Sequence, residues 1–414
     1  MGLPELRMAS RRGTRGRQHF STYPGFGVAC VKAAEAGPRG KSAPGLFLQR
    51  SRGLLHLRTS KSRIPRRVAR YRTSAAHSNT YTMNSVGYRF SVVIPTYSRP
   101  ESLRACLESM AEQSYPKRQF EVVVVDDGSP NSVEPIISPF RERLNLTLAR
   151  QENGGPSSAR NVGASLARGQ FLAFTDDDCM PARNWLHEFE SHFNCQPDCM
   201  LGGRTVNRLA DDVYAVSSQI LVDMLYEFYN AASESGAARF FTANNLAVPA
   251  DDFARLGGFN DTFRWAAAED RELCDRWVHS GRRMIFASEA VVQHAHHLSL
   301  PGFCRQHFTY GRGVVAYQRI RAQLGLGSLI ALRGFHAQFL KLCWPLLKQL
   351  PPGRSSAVAC LLLLSQLSTA AGFACESCAW RGFRNCWDSE LPNPHLPPSR
   401  SSCSATKYLP TSQK

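Results

Sequence analysis

Several things are scarce in this chain, and each scarcity removes a class of protein. No apolar run of seven residues lies near Met1, which argues against a secretory signal. No G-x-G-x-x-G follows the first β-rich run, "FSVVIP" at 90–95, where a dinucleotide-binding dehydrogenase needs its glycines. Acidic residues almost vanish from positions 1–82, which hold Glu5 and Glu35 against 17 Lys and Arg. The 13 cysteines lack the spacing of a disulfide framework, and without a signal peptide reduced thiols are the default. "CESC" at 375–378 starts a zinc pattern that no second pair completes.

The formal net charge of +17 suggests nucleic acid or an anionic membrane, but its distribution argues otherwise. Residues 83–414 hold 33 basic against 31 acidic residues, so the folded body is nearly neutral and nucleic acid is disfavoured as a partner. Residues 1–82 are rich in Arg, Ser and Gly. They fit a transit peptide, a disordered basic arm, or sequence upstream of a true start at Met83.

From residue 90 the pattern becomes regular. "FSVVIP" (90–95), "FEVVVV" (120–125), "LNLTLA" (144–149) and "QFLAFT" (170–175) are short β-rich runs. "PESLRACLESMAEQS" places Leu103, Leu107 and Met110 at helical spacing, and "GPSSARNVGASLARG" opens on Pro156 and closes on Gly169. Strand–helix–strand alternation predicts an open, mostly parallel α/β sheet, whose ligands bind beyond the carboxyl ends of the strands. Two acidic clusters fall at such ends: Asp126–Asp127 after the second strand, and Asp176, Asp177 and Asp178 after the fourth. Three adjacent carboxylates repel unless something positive sits between them. They read as a solvated turn or as a cation site, and convergence with Asp127 favours the site. Further on, "AEDRELCDRWVHSG" predicts a helix with Glu269 and Asp270 in its first turn, where the helix dipole favours negative charge. "MIFASEAVVQHAHH" predicts a strand ending in His294, His296 and His297.

Beyond residue 300 the chain becomes basic and amphipathic, and "AVACLLLLSQLSTAAGFAC" (357–375) is at the short end for a membrane span. The expected organisation is a basic segment 1–82, a catalytic domain 88–300, a helical extension 301–375 and a disordered tail 376–414.

The ordered series "VVIPTYSR", "VVVDDGS", "NGGPSSARNVG", "FTDDDCMP", "LGGFND" and "AEDREL" resembles family 2 glycosyltransferases of the GT-A fold, over roughly residues 88–300. The resemblance implies an inverting transfer from a nucleotide-sugar donor, UDP-linked first, assisted by Mn2+ or Mg2+. It implies that Asp176 faces the ribose and Asp178 ligates the metal, with Asp177 able to replace either. Pro95 and Tyr97 would border the base, Asp127 would accept a hydrogen bond from it, and Arg160 and Asn161 would line the nucleotide pocket. His294, with His296 second, matches a histidine that some GT-A enzymes place on the metal or diphosphate. Asp270 would be the general base, Glu269 its alternate, and Asn244, Asn245 and Trp265 would face the acceptor. A carbohydrate or lipid-linked acceptor, work in cell-envelope polysaccharide synthesis, and a location in the cytoplasm or on the inner membrane face are the matching expectations. The rivals are a nucleic-acid-binding protein using residues 1–82 and a carbohydrate-binding protein without activity.

Overall fold

The computed structural model describes residues 87–231, 238–263, 266–323, 325 and 330–390. The chain divides between Asn79 and Thr80, and everything described belongs to the second unit. The expectation for residues 1–82 therefore lies outside the described residues.

Strand β1 (Phe90–Thr96), helix α1 (Pro100–Ala111), β2 (Phe120–Asp126), the short α2 (Glu134–Ile137), β3 (Leu146–Arg150), α3 (Pro156–Leu166) and β4 (Phe171–Phe174) follow one another. Then come β5 (Cys179–Pro181), α4 (Trp185–Cys195), β6 (Met200–Asn207), α5 (Val213–Tyr226), β7 (Leu246–Pro249), α6 (Ala250–Leu256), α7 (Glu269–His279) and β8 (Met284–His294). Three helices close the chain: α8 (Leu300–Gln323), α9 (Ile330–Leu347) and α10 (Pro352–Glu390).

The eight strands form one sheet in the order β3-β2-β1-β4-β7-β6-β8-β5. The half built from β3, β2, β1 and β4 is wholly parallel, as the alternation predicts. β7 runs antiparallel to both β4 and β6, β6 and β8 are parallel, and β5 is antiparallel to β8. The sheet is thus mixed beyond β4. β1 and β2 are buried along their whole lengths, consistent with their continuous apolar runs. Glu121, the carboxylate at the start of β2, is matched by the Ser91 hydroxyl at 2.7 Å and the Arg168 guanidinium at 2.5 Å.

The final helices are integral to this unit. α8 and α10 cross so closely that a Cβ on Gly311 would lie 2.0 Å from the Thr369 carbonyl oxygen, and one on Gly372 would lie 1.9 Å from that of Phe308. Arg312 holds Glu376 at 2.9 Å. The expected tail 376–414 overlaps α10, which runs to Glu390, and its remainder, 391–414, lies outside the described residues. α9 and α10 pack on α5 through Ile220, Met224, Phe335, Phe339 and Leu362. Residues 352–379 of α10 form the one helix, among the described residues, long and apolar enough to cross a membrane. Only 28% of its most apolar window is buried within the protein.

Candidate active site

The carboxyl ends of β1, β2 and β4, the start of α7 and the end of β8 open into one crevice of about 2210 Å³. Pro95, Tyr97, Asp127, Arg160, Asp176, Asp177, Asp178, Asn244, Glu269, Asp270, His294 and His296 all line it. The two acidic clusters converge, as their positions at strand ends predict, and the helix-borne pair Glu269–Asp270, a second acidic site in the sequence, lines the same crevice.

The three adjacent aspartates are not equivalent. Asp177 turns inward, 5% exposed, accepting from the Thr96 hydroxyl at 2.7 Å and from Arg99 Nη1 at 3.2 Å. Asp176 and Asp178 face the crevice, with side chains 28% and 14% exposed. Asp178 Oδ2 pairs with the same Arg99 nitrogen at 2.8 Å, and its Oδ1 lies 3.2 Å from His294 Nε2. β5 and β8 create this last contact, because Cys179 pairs in register with His294. Arg99 is the positive group that the triplet requires. Sequence reasoning passed over it within "TYSRP", although the demand for a cation among three carboxylates was the available signal.

Burial pushes the Asp177 carboxyl up to about 7 against the pull of Arg99 and the Thr96 hydrogen bond. Burial also raises Asp178, but the hydrogen bond and charge of His294, together with Arg99, more than reverse it and hold that carboxyl well below its usual range. Burial pulls the His294 imidazole down, yet Asp178 raises it above its ordinary value. His296, its ring tilted against that of His294 at 4.5 Å and its Nε2 3.1 Å from Gln306 Nε2, is pushed down to about 3 by burial and its charged neighbours.

Asp127 anchors its own surroundings. It accepts from Gln151 Nε2 at 2.7 Å and from the backbone amides of Gly154 and Gly155 at 2.8 and 2.9 Å, fixing the loop that starts α3. From α3, the buried Arg160 reaches two carboxylates at once: Asp176 at 2.6 Å and Glu269 at 3.2 Å. Asn161, its neighbour, is not among the crevice residues. Both its amide atoms are taken by the backbone of Phe259, each at 2.8 Å. This contact explains the loop before it: Gly258 has φ +70°, and a Cβ there would lie 2.5 Å from Asn161 Oδ1.

Glu269 and Asp270 begin α7, preceded by Ala268 at φ +70°, a strained conformation for a residue with a Cβ. Burial and the neighbouring Asp270 charge lift Glu269 to about 7, against Arg160. Asp270 is raised by burial, opposed by the Arg271 backbone amide, which donates to it at 2.7 Å. The two expected acceptor asparagines diverge. Asn244 lines the crevice and accepts from Thr242 Oγ1 at 2.8 Å. Asn245 points into the core, between Trp185 Nε1 at 2.9 Å and the Ala290 carbonyl at 3.0 Å. Trp265 lies outside the described residues.

A cation site is chemically reasonable here. Ligand atoms of Asp178, Cys179 and His294 lie within 4.8 Å of one another. Burial raises the Cys179 thiol well above its ordinary value, so it stays protonated and leaves a carboxylate–imidazole set. Hard oxygen donors with one imidazole suit Mn2+ or Mg2+ better than a soft metal.

Residues 91–257 match the family model for glycosyl transferase family 2. Residues 91–257 are a family 2 glycosyltransferase domain. Among similar proteins, poly(ribitol-phosphate) β-N-acetylglucosaminyltransferase TarS of Staphylococcus aureus is 42% identical over 92 residues, covering 22% of this chain and 16% of TarS. Glycosyltransferase AglE of Haloferax volcanii is 36% identical over 116 residues, 27% of this chain and 38% of AglE. Validoxylamine A glucosyltransferase of Streptomyces hygroscopicus is 29% identical over 227 residues, 48% and 50% of the two chains. The chain thus spans half or less of the length of these curated relatives. Among solved structures, a mannosyltransferase from Pyrobaculum calidifontis in complex with GDP-Man and Mn2+ is 21% identical, with a TM-score of 0.46 over 73% of this chain and 81% of that one. The matched segment supplies β1 to α6, and α7, β8 and the closing helices, outside it, complete the crevice.

Proposed function

We propose that the protein transfers a sugar from a nucleoside-diphosphate donor, a UDP-sugar first, to an acceptor hydroxyl, with inversion at the anomeric carbon. The convergence of Asp127, Asp176, Asp178, His294, Glu269 and Asp270 on one crevice carries this reading. Asp178 and His294, with Asp176, would hold the Mn2+ or Mg2+, which neutralises charge developing on the diphosphate. Pro95 and the half-exposed Tyr97 border the nucleotide base. Asp127 has most of its hydrogen-bonding capacity committed to Gln151, Gly154 and Gly155, so it serves the base pocket chiefly by fixing that loop. Arg160 keeps Asp176 and Glu269 oriented across the crevice. Asp270 takes the proton from the acceptor hydroxyl as it attacks opposite the diphosphate, Glu269 stands second, and Asn244 contacts the acceptor. Titration with UDP and GDP in the presence and absence of Mn2+, followed by assays with the corresponding sugars, tests the reading. Nucleoside-diphosphate affinity is expected to rise with Mn2+, and a metal-independent affinity would overturn it.

The acceptor reading rests on the apolar residues that α5, α8, α9 and α10 add to the crevice, Leu225, Val314, Phe335, Leu367 and Phe373, beside polar Gln318, His336, Gln366 and Thr369. Close by, Leu340 and Trp344 of α9 and Leu363 and Leu367 of α10 are exposed, and Lys348 lies 5.1 Å from the Trp344 ring. An apolar face with basic residues beside it suits an anionic lipid surface. It favours a lipid-linked or membrane-bound acceptor and contact with the inner membrane face over a purely soluble glycan. Residues 1–82 are a separate segment in this reading, dispensable for folding. A chain beginning at Met83 removes their charge from the test and is expected to float with anionic liposomes at low salt. If it stays in the lower fraction of the gradient, the attachment is refuted.

A further inference from the structure

Asp178 enters every account of the cation, yet both its oxygens are already occupied. Oδ1 faces His294 at 3.2 Å, and Oδ2 pairs with Arg99 at 2.8 Å. The same Arg99 nitrogen reaches Asp177 Oδ1 at 3.2 Å, so one guanidinium spans two of the three carboxylates. The two partners of Asp178 differ in how firmly they are held. His294 is the last residue of β8, in register with Cys179, and its side chain is 17% exposed. Arg99 hangs from the loop between β1 and α1, with its side chain 56% exposed. The loop backbone is tied separately: Ser98, at φ +54°, donates its amide to Ser129 Oγ at 2.9 Å. The guanidinium can therefore leave by rotating its own side chain, without moving the strand ends.

We propose that Arg99 is a resident counter-cation of the carboxylate cluster, neutralising Asp177 and Asp178 until a divalent cation displaces it. This rests on the proposed role of Asp178 in holding that cation. The physical need is plain. Without Arg99, the buried Asp177 and the nearby Asp178 would face each other with no positive group between them, and charged groups left unpaired in such a place are costly. A divalent ion satisfies the same oxygens, so the two cations compete for one place. Competition has a direction. Removing the arginine must tighten the metal, whereas removing an ordinary structural or ligand-supporting residue would weaken it.

The test is a Mn2+ titration of the full chain without nucleotide, by calorimetry and by thermal melting, on the parent, Arg99→Ala, Arg99→Lys and Asp178→Ala. Arg99→Ala is expected to bind Mn2+ about fivefold more tightly, the scale of one partly exposed ion pair. It should melt lower than the parent without metal and gain more from Mn2+. Arg99→Lys keeps the charge and should stay within about twofold of the parent. Unchanged or weaker Mn2+ binding by Arg99→Ala, with the parent still binding through Asp178, would overturn the role of Arg99 alone. Equal Mn2+ binding by parent and Asp178→Ala, or none by either, would overturn the cation site and this inference with it.

Discussion

Replacing Asp270 by Asn is expected to lower turnover by ~10²–10⁴, the usual cost of losing a general base, with little change in affinity for donor or cation. Asp270 stands in the first turn of α7, and among the described residues no hydrogen bond or ion pair joins it to Asp178 or His294. The substitution preserves shape and still lets the side-chain oxygen accept from the Arg271 amide. The pH profile supplies a second reading. Burial raises the Asp270 carboxyl, so the proposed base is protonated, and inactive, up to a higher pH than an ordinary aspartate. The parent rate should fall on the acid side, with its midpoint above the ~4 of a free carboxylate, and the Asn variant should lose that limb. Glu269→Gln should cost less, since it removes one of the two ion pairs of Arg160 and leaves the other. A rate for Asp270→Asn close to the parent would place the base elsewhere. Product with retained anomeric configuration would exclude a single displacement altogether.

Asp178→Ala is expected to weaken Mn2+ binding by more than ~10-fold, since even outer partners of a metal ligand commonly cost 10–100-fold. The fold should survive, because Arg99 keeps Asp177 and β5 stays paired with β8. His294 gives this prediction a pH signature. Its imidazole is raised above the ordinary value by Asp178, so at lower pH a proton competes with the cation for the ring. Affinity in the parent should climb as pH rises through that raised value. In Asp178→Ala the histidine loses the partner that raises it, and the dependence should move to lower pH. Calorimetry across pH 5.5–8.5 reads both effects, and equal affinities in the two proteins would refute the assignment.

How far the sequence exposed this arrangement depends on how local each interaction is. β1, β2 and β4 and helices α1 and α3 were legible because each is a continuous segment with its own apolar run, proline start or closing glycine. The carboxylates were legible because strand ends in such a sheet share an edge. β6 and β7 were not: β6 carries two adjacent glycines, and its pairing joins Gly202 to Leu246, far apart in the chain. β5, three residues long, has too little sequence to carry a period. Side-chain direction was the other blind spot. Arg160 and Asn161 are adjacent, yet one bridges the crevice while the other binds the Phe259 backbone. Asn244 and Asn245 part in the same way because the second is claimed by Trp185. Asp176, Asp177 and Asp178 were equivalent as letters, and it is the contacts of Arg160 with the first, Thr96 with the second and His294 with the third that separate them.

The crossing of α8 has a bearing on how this protein can be shortened. A Cβ on Gly313 would lie 2.6 Å from that of Ala267, immediately before the strained Ala268 and the Glu269–Asp270 pair. The loop that aims the proposed base therefore rests directly on α8, and α8 in turn rests on α10 through Gly311 and Gly372. A boundary drawn where the family match ends at residue 257 would remove Glu269, Asp270 and His294 altogether, and one drawn at the end of β8 would keep them but cut away the buttress of their loop. The longer fragment would hold the proposed proton acceptor unbraced, and the shorter would lack it. A catalytic unit must be counted through the far side of α10.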